Sequence, residues 1–148
     1  MINTENAEEA KKLIKKAIEN GEKPIIVVAK DNEFNRKILE YGKFDILASA
    51  EAGNKKDGLK QLDSGFNHVL GAIATKNKVA LGIDIAEISK LGKKDKALRL
   101  GRIMQNVRLC RKTKTKIKVL NFKDEKDVLS LLISLGASSQ QAKEALDF

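Results

Sequence analysis

Gly65-Phe66-Asn67-His68-Val69-Leu70-Gly71-Ala72-Ile73-Ala74-Thr75-Lys76-Asn77-Lys78-Val79-Ala80-Leu81-Gly82-Ile83-Asp84-Ile85 decides how the rest of the chain reads. Its first half predicts a helix. Val69, Leu70 and Ile73 recur at helical spacing, and Gly71, Ala72 and Ala74 are small enough for close packing on a neighbour. A short basic turn through Asn77 ends that helix. Val79 to Ile85 is a nearly continuous aliphatic run, the pattern of a strand covered on both faces by helices. One helix-turn-strand unit of this kind implies others.

They are present on both sides. Asn6 through Asn20 predicts an amphipathic helix, with Asn6 as cap, Glu9 reaching back to it, and Ala10, Leu13, Ile14, Ala17 and Ile18 as the apolar stripe. Gly21 suits the left-handed exit, and Pro24 opens the strand Ile25–Ala29. Asp31 or Asn32 caps a helix carrying Phe34, Ile38, Leu39 and Tyr41, which stops at Gly42 before the strand Phe44–Ala48. Residues 49–64 form a polar, basic loop. Asp95 is expected to cap the longest helix, with Leu100, Ile103, Met104, Val107 and Cys110 buried; Lys116–Phe122 is the fourth strand. Asp124 opens a helix running to Gly136, and Ser138 with Gln141 caps a last short one.

Alternating strands and helices imply parallel strands joined by right-handed crossovers. Four strands cannot close a parallel barrel, which needs about eight. The expected fold is α/β, a truncated (β/α) barrel-like half-barrel with about four parallel strands and helices outside, in a single domain over residues 1–148. Such a fold exposes two edges and an apolar inner face, to be covered by a second copy of the chain or by a partner, with Ile25–Ala29 the expected pairing side.

The 148 residues suffice for a core without metal or disulfide support, and 42% hydrophobic with 33% charged residues describe a globular chain. Lys+Arg number 29 against Asp+Glu 20, a net +9, with a pI near 9.6. That balance favours a polyanion, because lysines and arginines gain affinity by releasing counterions from phosphates. Cys110 is the only cysteine, so no intramolecular disulfide forms and a reducing compartment is expected. The amino terminus lacks the pattern of a secretory signal, and no apolar run approaches the ~20 residues that cross a bilayer. A soluble, cytoplasmic protein is expected, without membrane partners.

Catalytic chemistry is sparse. One histidine supplies little toward a metal centre, although Asp45, Asp84 and Glu87 near strand ends could hold magnesium. Neither a Gly-x-x-x-x-Gly-Lys-Ser/Thr loop nor a Gly-x-Gly-x-x-Gly pattern is present. Ser64 precedes His68 by four residues with no evident acidic partner, and Cys110 lies on an apolar stripe. His68 is either a partly buried side chain bonded to a backbone group or, beside Asn67, a contact to phosphate. Basic residues fall into three groups: Lys55, Lys56 and Lys60 in the loop; Arg36 and Lys37; and Arg99, Arg102, Arg108, Arg111, Lys112 and Lys114 along the long helix. On the stripe assigned above, Arg99 borders the buried face while Arg102 and Arg108 project away from it. With five Phe, one Tyr and no Trp, contacts to the backbone of structured RNA are favoured over base stacking.

Several segments then point to a family. Asn35-Arg36-Lys37-Ile38-Leu39-Glu40 with Phe44-Asp45-Ile46-Leu47, Gly65-Phe66-Asn67-His68-Val69-Leu70 and Lys76-Asn77-Lys78-Val79-Ala80-Leu81 resemble, in order and spacing, the archaeal RNase P protein component 3 family, relatives of the thirty-kilodalton RNase P subunit. Asn106-Val107-Arg108-Leu109-Cys110-Arg111-Lys112, Asp127–Leu132 and Gln141-Ala142-Lys143 are similar to its later helices. The resemblance covers nearly the whole chain from Pro24 onward, and Asn67-His68-Val69-Leu70 is its most specific part. It departs where the family's amino-terminal half-barrel is expected to be missing. It departs again at Asn121-Phe122-Lys123, which replaces a Ser-rich turn and its arginine, and where the chain stops soon after the last helix.

The resemblance implies a barrel-like fold related to metal-dependent phosphoesterases, acting as a non-catalytic protein subunit of ribonuclease P that supports RNA-catalysed removal of the 5′ leader from pre-tRNA. Its partners would be the RNase P RNA, pre-tRNA in the holoenzyme and RNase P protein component 2, with a homo-oligomer also open. It implies no cofactor for the chain itself, and magnesium for the RNA enzyme. With the basic groups, it nominates Asn35, Arg36, Lys37, Lys55, Lys56, Asn67, His68, Arg99, Arg102, Arg111 and Lys112 as RNA-binding, with no catalytic and no metal residues. The alternatives are a small metal-dependent phosphoesterase of related fold, and an interaction module in which Leu131–Leu146 resembles the small helical ubiquitin-associated type.

Overall fold

Four short aliphatic runs make one parallel sheet in chain order. In the computed structural model, which describes residues 1–53 and 62–147, they are β1 (Ile26–Val28), β2 (Ile46–Ala48), β3 (Ala80–Asp84) and β4 (Ile117–Leu120), hydrogen-bonded as β1-β2-β3-β4. Seven helices accompany them among the described residues: α1 (Ala7–Glu19), α2 (Asn32–Tyr41), α3 (His68–Lys76), α4 (Ile85–Ser89), α5 (Lys93–Thr113), α6 (Glu125–Ser134) and α7 (Ser139–Leu146).

Local chemistry sets most boundaries. The side chains of Asn6, Asp31, Asn67, Asp84 and Asp124 accept from backbone N–H groups one turn into their helices. Ser138 and Gln141 cap each other's backbones as the sequence predicted. Three expectations change. Glu9 accepts from the Thr4 hydroxyl at 2.9 Å, and that hydroxyl, not Glu9, takes the Asn6 N–H. The long helix begins at Lys93 behind Gly92, so Asp95 lies inside its first turn and only complements the helix dipole. Ile85 opens a short helix instead of ending the strand.

Right-handed crossovers in sequential order place the helices on one side of the sheet. Val27, Leu47, Leu81, Ile83, Ile117 and Val119 share one core with Ile14, Ile38, Leu39, Ile103, Val107 and Leu132 from the helices. Each such side chain contributes about 1.5–3 kcal/mol by burial. Val128, Leu132, Ala142 and Ala145 belong to this core, so α6 and α7 cover the sheet and do not form a separate module.

Among the described residues, the other face of the sheet carries strand residues: Ile46, Ala48, Ala80 and Leu120, with Ile26 packed against them. The expected exposed apolar inner face is not found. On that face Ile46 is 2% and Ala48 1% exposed. Gly82 leaves room for Ile46, since a Cβ there would lie 2.6 Å from Ile46 Cγ2. The β1 edge is also partly occupied: Ile2 bridges to Val27, its N–H donating to the Ile26 carbonyl and its carbonyl accepting from Val28 N–H, each at 2.8 Å. On the far side α7 flanks β4, where the Lys118 ammonium donates to the carbonyls of Glu144, at 2.8 Å, and of Asp147.

Candidate functional site

Parallel strands bring their four carboxyl ends to one edge, the usual place for function in α/β folds. Here that edge carries an ion-pair network. Glu51, 1% exposed, accepts from Arg99 Nε at 3.3 Å and Nη2 at 3.2 Å. Arg99 Nη1 reaches Glu87 Oε1 at 2.6 Å, and the Ser49 hydroxyl donates to the other Glu87 oxygen at 3.2 Å. Arg102 Nη1 donates to the Glu51 carbonyl at 3.3 Å. Asp84 caps α4 and accepts from Asn121 Nδ2 at 3.1 Å. Burial pushes the Glu51 carboxyl above its ordinary value, and the Arg99 charge pulls it only part of the way back. These groups chiefly satisfy one another.

Asp45, grouped from sequence with Asp84 and Glu87 as a magnesium set, stands at the opposite edge. One of its oxygens accepts from Ile25 N–H at 2.6 Å, and the other is 3.7 Å from the Lys23 ammonium. Among the described residues no three His, Cys, Asp or Glu side chains converge as a metal site.

The outward assignment of Arg102 is corrected, and so is that of the α5 polar face. Arg99 and Arg102 are 6% and 8% exposed. Farther along α5, Gln105 Nε2 donates to the Leu62 carbonyl at 2.8 Å and its Oε1 accepts from Leu62 N–H at 3.2 Å. Asn106 Nδ2 donates to the Ser64 carbonyl at 3.1 Å. The chain on both flanks of residues 54–61 therefore packs on the side of α5 that helical periodicity assigned to solvent. Arg108 is exposed, as expected.

The other nominated residues scatter. Asn35 is fully buried: its amide accepts from Lys30 N–H at 2.8 Å and donates to the Lys30 carbonyl at 3.2 Å, which removes it from any surface. Arg36 and Lys37 are exposed and paired within α2, to Glu40 and Glu33. Asn67 caps α3, accepting from Leu70 N–H at 2.9 Å, and His68 is exposed, not partly buried. Ser64 is 1% exposed and donates to the Phe66 carbonyl, which separates it from His68. Arg111 bonds the Gly136 carbonyl and Gln141 beside exposed Lys112, at the end of α5 that faces the opposite sheet edge. Lys55 and Lys56 lie outside the described residues. Cys110 is buried in the core, and burial pushes its thiol up to about 12.

The sequence reading passed over the amino-terminal edge. A lysine stands just ahead of every strand: Lys23 before β1, Lys43 before β2, Lys78 before β3 and Lys114 before β4. Lys43, Lys78 and Lys114 have φ of 62°, 58° and 63°. A cleft of about 750 Å³ opens here, lined by Lys23, Lys78, Lys114, Lys116, Lys118 and Asp45 over an apolar floor that includes Ile46 and Ala80. The signal was one lysine per helix-to-strand junction, visible once the strands are aligned.

No protein-family model matches the sequence. The chain is 28% identical over 116 residues to Ribonuclease P protein component 3 of Methanococcus maripaludis (strain C7 / ATCC BAA-1331) and 29% identical over 116 residues to that of Methanococcus vannielii. Both similarities cover 78% of this chain and 47% of the relative, so the chain spans about half the length of those relatives. In fold it matches a chain of the cryo-EM structure of archaeal Ribonuclease P with mature tRNA. The TM-score is 0.78 at 24% identity, over 97% of this chain and 62% of that one. The fold is thus that of a chain in archaeal Ribonuclease P, and similarity in sequence over most of its length sets this chain beside ribonuclease P protein component 3, as Asn67-His68-Val69-Leu70 and its neighbouring segments indicated.

Proposed function

We propose that this chain is a protein subunit of ribonuclease P. It supports RNA-catalysed removal of the 5′ leader from pre-tRNA and does no bond-breaking itself. The observation that carries the reading is the 116-residue similarity to component 3 relatives. The basic surplus of +9 suits an RNA partner. Its partners in this reading are the RNase P RNA, pre-tRNA in the assembled enzyme and RNase P protein component 2, and magnesium serves the RNA. Component 2 or a second copy is the expected protein neighbour in this reading. Nothing favours the small phosphoesterase, whose three candidate carboxylates are divided between opposite edges of the sheet.

Reconstitution tests the reading. RNase P RNA and component 2 should co-purify with the chain, and leader cleavage should require the RNA. Magnesium-dependent cleavage by the purified chain alone, abolished by Asp84→Ala, would overturn it.

A further inference from the structure

We propose that the amino-terminal edge of the sheet is the surface on which this chain takes RNA phosphate groups, through Lys23, Lys43, Lys78, Lys114 and Lys116. The assignment rests on the proposed function only for the identity of the RNA. Its own basis is charge, backbone conformation and spacing.

Charge comes first. Lys23, Lys78, Lys114 and Lys116 line the cleft with Lys118, whose ammonium is held by the carbonyls of Glu144 and Asp147, and one aspartate, which already holds the Ile25 N–H at 2.6 Å. The side chains of Lys23 and Lys116 are 80% and 64% exposed, and Lys43, Lys78 and Lys114 are exposed as well. Nearby carboxylate is thin: Asp45 lies 3.7 Å from Lys23, and Glu144 3.8 Å from Lys116. The opposite edge is a contrast, because Arg99 and Arg102 there are buried against Glu51. Among the described residues Lys90, Lys93 and Lys94 are exposed after the carboxyl end of β3, but the exposed lysines aligned one per strand stand at the end where α/β folds seldom place a site.

Backbone conformation is independent of charge. Three successive helix-to-strand turns adopt the left-handed region at Lys43, Lys78 and Lys114. Glycine or asparagine fills that region at less cost, so the backbone does not select lysine there. The turns keep lysine three times over, and the ammonium group is the property they share.

Spacing fits a backbone ligand. Neighbouring strands lie ~4.8 Å apart, so lysines ahead of four consecutive strands make a row about 14 Å long. Lysine binds phosphate as a mobile point charge without demanding fixed geometry. Tyr41, whose ring lies 5.4 Å from the Lys43 ammonium, is an aromatic group beside this row. The edge therefore suits the phosphates of folded RNA better than the bases of a single strand.

The test compares the wild-type chain with a Lys43→Asn, Lys78→Asn, Lys114→Asn variant, in which asparagine retains the left-handed turns. A control, Lys12→Gln, Lys15→Gln, Lys16→Gln, removes the same charge from exposed positions on α1. Affinity for RNase P RNA and for an unrelated folded RNA of matched length is measured over a salt series. Each lost phosphate contact reduces the slope of log K against log salt by about 0.7–0.9. The edge variant should therefore lose about 2–3 units of slope, so that doubling the salt weakens the wild type about four- to eight-fold more than the variant. The control should keep the wild-type slope, and melting temperatures should show all three chains folded. An unchanged slope in the edge variant, or an equal loss in the control, overturns the proposal. So does a wild-type chain that binds neither RNA. If the variant instead loses an acidic protein subunit while its RNA slope is intact, the edge is a protein interface and the proposal fails. An effect equal on both RNAs, with no preference for RNase P RNA, upholds the edge and removes the RNase P reading. A preference with an unchanged slope does the reverse.

Discussion

Replacing Arg99 by methionine should destabilise the fold strongly, and mainly through Glu51. Arg99 meets two carboxylates of different character: Glu87 is 42% exposed and can turn to water, whereas the Glu51 side chain is 1% exposed and cannot. Breaking a buried pair by removing one partner costs about 3–5 kcal/mol, most of it from the charge left behind. For a chain of this size, about 2–4 °C per kcal/mol makes that a fall of roughly 6–20 °C in melting temperature. The pH dependence identifies the cause. The folded pKa of Glu51 is raised above the ordinary 4.5 by burial, so its contribution to stability is full below that value and lost as pH rises through the folded pKa. Removing the Arg99 charge removes the main opposing influence and moves the folded value further up. Within the widened window the variant should lose about 1.4 kcal/mol per pH unit, because the folded state holds one proton more than the unfolded state. Its deficit against wild type should shrink on acidification toward pH 4.5. Adding Glu51→Gln should recover much of the loss at neutral pH. The assay is urea unfolding of the wild type, both single variants and the double variant from pH 4.5 to 8. A deficit under about 1 kcal/mol, or one that neither acid nor Glu51→Gln reduces, would refute the reasoning.

Asn35→Ala should cost about 1–3 kcal/mol by stranding the Lys30 N–H and carbonyl, while the salt slope of RNA binding stays that of the wild type. A lower slope with unchanged unfolding free energy would return Asn35 to the RNA surface. With its thiol at about 12, Cys110 is thiolate to only ~1 part in 10,000 at pH 8. Alkylation should therefore be slow in the native chain and fast in denaturant, and native labelling at the rate of a free thiol would contradict its burial.

Periodicity, caps and glycine stops determined the order of helices and parallel strands, because each is a property of a few adjacent residues. Asn6, Asp31, Asp124 and Ser138 announce their helices regardless of what packs on them. The family segments were legible for the same reason, as short strings in fixed order. Arg102 was misplaced because a helix stripe shows which side is apolar but not what covers the polar side. That depended on residues 49–53 and 62–64, some 40 to 50 positions away, which bring Glu51 and the Leu62 and Ser64 backbones onto α5. The inner-face residues Ile46 and Ala48 are buried, with Gly82 leaving room for Ile46, and Ile2 occupies part of the β1 edge. Lys23, Lys43, Lys78 and Lys114 are separated by up to 91 positions and share no local pattern. Only parallel alignment of the strands brings them to one edge, as the same alignment sends Asp45 away from Asp84 and Glu87. Local sequence chose the elements; pairing between distant segments chose which side chains meet.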